Sequence, residues 1–206
     1  MKSKNVHWDN IFSNSENSKL GWYESDTSAT FQLLNQIKRL EEKTVFIPGA
    51  GTSTLVEDLI PLAKQLVLND ISNEALNILK KRIENTSSNI IWNCQDITVP
   101  FDKHFPKVDI WIDRAVLHFL TNKEDIKKYI SNIKSNLNKN GYVIFAEFSK
   151  VGVAQCAGLD VQRYSKDELS QNLGDSFELL YHFDFIYTNP NGDKRPYIYT
   201  LYKKIS

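Results

Sequence analysis

The sequence predicts an α/β protein organised on a mainly parallel sheet with helices on both faces, and three observations carry this. From about residue 44 onward, short apolar runs alternate with segments whose apolar residues recur at helical spacing. The short runs are continuously apolar, as strands buried on both faces must be, rather than alternating apolar with polar. Near the end the rhythm breaks into two long strand-like runs joined by TNPNGDKRP, whose Asn-Pro and Asn-Gly pairs are turn signals.

Each element follows from its own pattern. Residues 27–42 predict a helix, preceded by the aromatic segment HWDNIFSNSENSKLGWYE. Residues 45–47 are the first strand; Leu55, Leu59, Leu62 and Leu66 then recur at spacings of four and three, which is helical. Residues 66–68 form the second strand, and Ala75, Leu79 and Ile83 mark the helix after it. The third and fourth strands are 90–92 and 108–112; Ile126, Ile130, Ile133 and Leu137 give the helix leading to the fifth, 142–146. Ser165 with Glu168 three positions on is a capping box opening a short helix. The runs 177–187 and 197–202 form an antiparallel hairpin that closes the sheet. No repeat, low-complexity tract or linker divides the 206 residues, so the chain reads as one domain: a core over 43–206 and a helical or lid segment over 1–42.

Composition narrows the function. Lys+Arg and Asp+Glu are 25 each, which leaves no net field to draw in nucleic acid or an anionic membrane. The 41% hydrophobic and 24% charged content is that of an ordinary globular protein. No apolar run approaches the length of a membrane span, and MKSKNVHWDN lacks a secretory apolar core. Cys94 and Cys156 are far apart and the four histidines are scattered, so the expectation is a cytoplasmic protein with reduced thiols and no metal.

The chemistry centres on VFIPGAGTS, in which a buried strand gives way to a turn bearing Gly49 and Gly51. Such a turn lies at the carboxyl end of a strand, where open parallel sheets bind ligands, and its glycines let a ligand reach the backbone. About twenty residues on, the second strand ends in Asn69-Asp70-Ile71-Ser72, placing a carboxylate where it can accept from both hydroxyls of a ribose. The third ends in Gln95-Asp96-Ile97, an acid for the exocyclic amine of adenine beside an apolar residue to cover its ring. Each acid singly is also a normal turn or helix cap; both in step with the glycine turn point to a nucleoside. A nicotinamide dehydrogenase would call for a third glycine, where this chain has Ser53.

At GAGTS, NDIS, CQDI and VDIWIDRAVLHFL the chain resembles the successive motifs of class I S-adenosylmethionine-dependent methyltransferases, over about residues 44–149. The resemblance implies a Rossmann-like open sheet of seven strands, order 3-2-1-4-5-7-6, with the last strand antiparallel and helices on both faces. It implies S-adenosylmethionine as cofactor, with Pro48, Gly49, Ala50 and Gly51 along its methionine and ribose, Asp70 and Ile71 at the ribose, Asp96 and Ile97 at the adenine, and Asp113 with Arg114 near the methionine end. One departure matters. The family's first strand carries an acid two positions before the first glycine, where this chain has Ile47, so Asp113 or backbone carbonyls must do more for the methionine amine.

The acceptor is approached from the fourth-strand motif. DNA adenine and protein glutamine methyltransferases carry Asn/Asp-Pro-Pro-Tyr/Phe here; this chain has Asp113-Arg114-Ala115-Val116. Protein lysine methyltransferases share its size and an N-terminal WD-then-WY pattern, but their Asp-Lys-Gly-Thr is only partly echoed. Leu117-His118-Phe119 is similar to an apolar-His-apolar segment of small-molecule members, which favours a small N, S or O nucleophile. A protein lysine and a catalytically silent cofactor-binding module are the alternatives. His118 is a candidate base or a local packing residue. Trp22 and Tyr23 are candidate lid residues or helix packing, and Cys156 and Arg163, after the fifth strand, are candidate substrate contacts.

Overall fold

The computed structural model describes residues 4–84 and 89–206. Its strands are β1 (Thr44–Ile47), β2 (Gln65–Asp70), β3 (Ile90–Cys94), β4 (Val108–Arg114), β5 (Leu137–Phe148), β6 (Phe177–Thr188) and β7 (Lys194–Lys204). They form one sheet in the order 3-2-1-4-5-7-6. The first five run parallel, and β7 enters antiparallel between β5 and β6. The expected topology is therefore observed. A two-residue hairpin, Gln155–Cys156 with Leu159–Asp160, projects after β5.

Strand periodicity sorts the core into two layers. Val45, Ile47, Leu66, Leu68, Ile110 and Ile112 pack on one face of the sheet, while Phe46, Val67 and Trp111 between them pack on the other. The first layer takes in the helices α2 (Ser28–Leu34) and α3 (Leu55–Leu59); the second is closed by α5 (Lys123–Asn136) and α6 (Lys166–Leu173). The capping box at Ser165 and Glu168 is present as expected: Glu168 N–H donates to Ser165 Oγ at 3.2 Å, and Ser165 N–H to Glu168 Oε2 at 2.8 Å.

Two helix expectations need correction. Residues 27–42 are not one helix: α2 ends at Leu34, Arg39 takes left-handed dihedrals (φ 60°, ψ 51°), and Leu40–Glu42 is a 3-10 turn. Leu33, Leu34 and Ile37 are already buried by then, and the chain must turn into β1 at Thr44. The helix over 55–66 stops at Leu59: Ile60 keeps helical dihedrals as its C-cap, but Pro61 has no N–H to continue the ladder; Leu62 is exposed and Leu66 belongs to β2. The aromatic N-terminal segment, expected as a lid or helix packing, contains a helix, α1 (Lys4–Asn14). The helix α4 (Asn73–Arg82) falls where Ala75 and Leu79 place it, with Ile83 as its C-cap.

Sheet order reverses at the β1–β4 junction, since β1 continues to β2 on one side and β4 to β5 on the other. The loops leaving β1 and β4 diverge there and open a crevice at the carboxyl ends of the strands. Among the described residues, no helix is long and apolar enough to cross a membrane.

Candidate active site

The turn after β1 forms the floor of that crevice. Gly49 and Gly51 both have left-handed backbone, φ 55° and 50°. A Cβ on Gly49 would stand 2.4 Å from Val116 Cγ2, and one on Gly51 3.3 Å from the Phe12 ring and 3.7 Å from Asp70 Oδ2. Both positions thus disfavour a side chain by dihedral, and Gly49 excludes one by space as well. Ala50 N–H donates to the Asn69 carbonyl at 2.8 Å, tying the turn to β2.

Asp70 ends β2 beside it. Its Oδ2 accepts from Gly51 N–H and its Oδ1 from Ser72 N–H, each at 2.8 Å. Burial pushes the carboxyl up to about 6, against the pull of these bonds toward the charged form. Ser72 caps α4 by accepting from Ala75 N–H, and its hydroxyl donates to Asp9 of α1 at 2.7 Å. At the tip of β3, Asp96 Oδ1 accepts from Thr98 N–H and Oγ1, leaving Oδ2 at 3.9 Å from Lys4 Nζ. Ile97 is buried, and its carbonyl is held by Asn132 of α5 at 2.7 Å. Two acids at neighbouring strand tips therefore line the crevice, Asp70 with one backbone N–H on each oxygen.

The tip of β4 behaves differently. Asp113 is fully buried and accepts from Val116 N–H (3.0 Å), Leu117 N–H (3.2 Å) and Tyr129 Oη (2.6 Å). Beside it Glu147 of β5, equally buried, accepts from His118 N–H at 3.1 Å. Burial and the Glu147 charge push Asp113 well above the carboxylate range, and burial carries Glu147 to about 8. The His118 ring lies 2.9 Å from Glu147 Oε2, stacks flat on Phe148, and is held neutral by burial, its value lowered to about 3. Ala115 needs left-handed backbone (φ 65°) to make this bend. Arg114 alone of this group faces the crevice: Nε is 2.9 Å from Glu24 Oε2, Nη1 donates to the Trp22 carbonyl at 3.0 Å, and the guanidinium lies over Tyr187 and Tyr197.

A strap formed by α1 and residues 20–24 roofs the crevice. Trp8 meets Trp22 and Phe119 edge-to-face at 5.6 and 4.9 Å, and Phe12 and Leu20 are buried against Ala75 of α4. The Tyr187 hydroxyl donates to the Tyr23 carbonyl and Thr54 Oγ1 to the Glu24 carbonyl, fastening the strap from two sides.

The result is a cleft enclosing about 1210 Å³ including its open mouth. Its lining brings together Pro48, Gly49, Ala50, Gly51, Asp70, Ile71, Asp96, Ile97, Arg114, Trp22 and Tyr23. Asp113 and His118 are not among the lining residues; they lie beneath the post-β4 bend. Nor are Cys156, a free thiol packed at the edge of the first core layer, and Arg163, which donates to the Gly152 carbonyl at 3.2 Å. Sequence reasoning missed Trp8, Phe12, Glu24 and Phe119, all lining the cleft. The signal was there in the crowding of aromatics between Trp8 and Tyr23. Among the described residues, no group of three His, Cys, Asp or Glu could hold a metal ion.

Sheet order, glycine turn and paired strand-tip acids are those of the class I S-adenosylmethionine-dependent methyltransferases. A family model described as "NodS: Nodulation protein S (NodS)" matches residues 20–159, and the chain belongs to that family. No curated protein sequence matches it. Among solved structures, the N-methyltransferase NodS from Bradyrhizobium japonicum WM9 in complex with S-adenosyl-l-homocysteine shares 16% identity, with TM-score 0.74 and 98% of each chain covered. A SAM-dependent methyltransferase from Anabaena variabilis ATCC 29413 shares 17%, with TM-score 0.78, over 97% of this chain and 93% of that one. A third structure, described as "Conversion of a Disulfide Bond into a Thioacetal Group during Echinomycin Biosynthesis", shares 12%, with TM-score 0.76, over 98% and 93%. At these identities the likeness is one of fold.

Proposed function

We propose that the protein binds S-adenosylmethionine in this cleft and transfers its methyl group to a small-molecule nitrogen, sulfur or oxygen nucleophile. The observation that carries the reading is the alignment of bare backbone at Gly49 and Gly51, Asp70 and Asp96 along three adjacent strand tips. The donor set fits: the space a Cβ would fill at Gly51 lies 3.7 Å from Asp70 Oδ2, so a ribose can approach acid and main chain together. Asp96 Oδ2 stands for an exocyclic amine and Ile97 for the face of its ring.

When bound, the cofactor supplies an activated methyl on sulfonium. The chain's own part is alignment, exclusion of water and, for a protonated acceptor, removal of a proton. Trp8, Trp22 and Phe119 wall the mouth with rings, which supports a compact acceptor over an extended protein segment. The charged side chains among the cleft's lining residues are those of Glu24, Asp70, Asp96 and Arg114, and Tyr23 adds a phenol. An acceptor already deprotonated, a thiolate or a neutral amine, needs no more than alignment from them. The relative named an N-methyltransferase supports nitrogen among the three acceptor atoms.

The test is incubation with methyl-labelled cofactor and either metabolite extract or protein extract. Label in small molecules supports the reading, and label only in protein would replace it with a protein methyltransferase. Cofactor binding by calorimetry without label in either would leave a binding module.

A further inference from the structure

We propose that the outer edge of β6 docks a second copy of this chain: two β6 strands pair antiparallel about a two-fold axis at Phe183, with His182 of each copy opposite Asp184 of the other. The proposal is independent of the cofactor reading above.

β6 is the last strand of the sheet, and among the described residues no other strand pairs with its outer edge. Its sequence FELLYHFDFIYT holds no lysine, arginine or proline, the residues that commonly guard such an edge. A bulge at Leu180 blunts one end, but residues 181–188 run in regular register with β7. Large apolar groups stay open to solvent along it: Leu180 is 44% exposed, Tyr181 42% and Ile186 54%. On one face Phe183 stacks on Tyr199 at 5.1 Å, Phe185 meets the same ring edge-on at 5.7 Å, and Tyr181 carries the aromatic row to the rim.

The β6–β7 ladder decides which backbone groups face outward. Ile186 lies opposite Pro196, which has no N–H and whose carbonyl accepts from Ser149 N–H at 3.0 Å, on the β5 side. Ile186 therefore makes no ladder bonds to β7, and its own N–H and carbonyl point away from the sheet. By alternation so do those of Asp184 and His182. The Asn189 N–H, donating to the Asp193 carbonyl at 3.0 Å, keeps the same alternation into the turn. A second β6 can add only where outward-facing residues meet one another, which leaves few registers. With Asp184 on the axis two acids oppose; with His182 on the axis two imidazoles meet and each Asp184 faces Leu180. One further step either way sets Asp184 against Ile186, or His182 against Leu180. With Phe183 on the axis, an exposed imidazole lies across from an exposed carboxylate, twice by symmetry. In that register Tyr181 also lies opposite Phe185, Phe183 meets its own copy in the closer non-hydrogen-bonded pairing, and Ile186 comes level with Leu180. Opposite-charge and aromatic pairs are favoured cross-strand neighbours, so this register is complementary at each position, and the backbone bonds of β-augmentation come with it.

The experiment is sedimentation of the full chain over about 5–500 µM, the range in which a small interface associates. The wild type should pass from monomer to dimer. Asp184→Lys sets a cation opposite His182 and should weaken the dimer by roughly tenfold or more. The reversed variant, His182→Asp with Asp184→Lys, restores opposite charges in the Phe183-centred register and should return affinity to within about threefold of wild type. Amide exchange of the wild type, followed by NMR at low and high concentration, needs no variant to fold. Exchange at the His182 and Asp184 amides should slow as the dimer forms, while the Phe183 and Phe185 amides, already bonded to β7, stay unchanged. A monomer throughout the range overturns the proposal, and so does a dimer that leaves the His182 and Asp184 amides unprotected or is indifferent to Asp184→Lys. Failure of a folded reversed variant to recover the dimer overturns the register and the pairing with it.

Discussion

Gly49 and Val116 close the cleft floor against each other, with Val116 Cγ2 occupying the position that a Cβ on Gly49 would need. Gly49→Ala therefore meets two costs, left-handed backbone and a 2.4 Å clash. Together these should destabilise the protein by about 2–4 kcal/mol. Val116→Ala in the same chain should return only the steric share. Thermal or urea unfolding of the two single variants and the double variant checks this.

Asp70 links the cofactor reading to pH. Its folded value of about 6 lies above the ordinary 3.8, so its contribution to stability is largest below about pH 4 and is lost as pH rises through 6. Cofactor binding runs the other way, because a ribose donates to the ionised carboxylate. Affinity should fall as pH drops below 6, approaching tenfold per unit. Asp70→Asn should bind S-adenosylhomocysteine at least tenfold more weakly at pH 7.5, since hydrogen bonds to a charged group contribute about 1.5–3 kcal/mol each. Its pH profile should be flatter. Calorimetry across pH 5–8 reads both effects.

The Asp113–Glu147 pair makes the fold sensitive to alkali. Glu147 titrates near 8 when folded against an ordinary 4.5, so stability falls as pH rises through that interval, and Asp113 acts in the same direction. His118, lowered from 6.5 to about 3, gives the opposite slope, but only below about 6.5. Above pH 6.5 the carboxyls act alone. Stability should drop between pH 6.5 and 8.5 with a slope of up to about 1.4 kcal/mol per unit for each carboxyl that keeps its proton in the fold. Glu147→Gln, which keeps an acceptor for His118 N–H, should flatten it. Urea midpoints at pH 6.5, 7.5 and 8.5 decide the matter.

Trp8 touches the roof and little of the sheet, meeting His7, Phe12, Trp22 and Phe119. Trp8→Ala should loosen the roof, weakening S-adenosylhomocysteine severalfold while lowering the melting temperature by no more than a few degrees. A variant that unfolds in proportion to its loss of affinity would place Trp8 in the core instead.

The sheet was legible because its strands are buried on both faces and so spell themselves in apolar letters; residues 45–47 and 66–68 needed no wider context, and in 108–112 only Asp109 interrupts the run. The glycine turn and both strand-tip acids were legible because they follow those strands immediately. Helix ends were not. Arg39 turns left-handed for the sake of the path into β1, and α1 hides Trp8, Ile11 and Phe12 among asparagines and serines. Least visible was the pairing of Glu24 with Arg114, ninety residues apart, which only the closed roof brings to 2.9 Å. The position of His118 likewise depended on Glu147 and Phe148, contributed by a strand about thirty residues further on.

The two ends of the chain stand in different relation to the cleft. Lys4 reaches Asp96 and Asp125 at the rim, whereas Lys204 donates to the Leu137 carbonyl, where β5 begins, at the amino ends of the parallel strands. Cargo fused ahead of Lys4 would hang over the doorway through which ligands pass. An affinity handle or fluorophore attached behind Lys204 would ride on the blind side of the molecule.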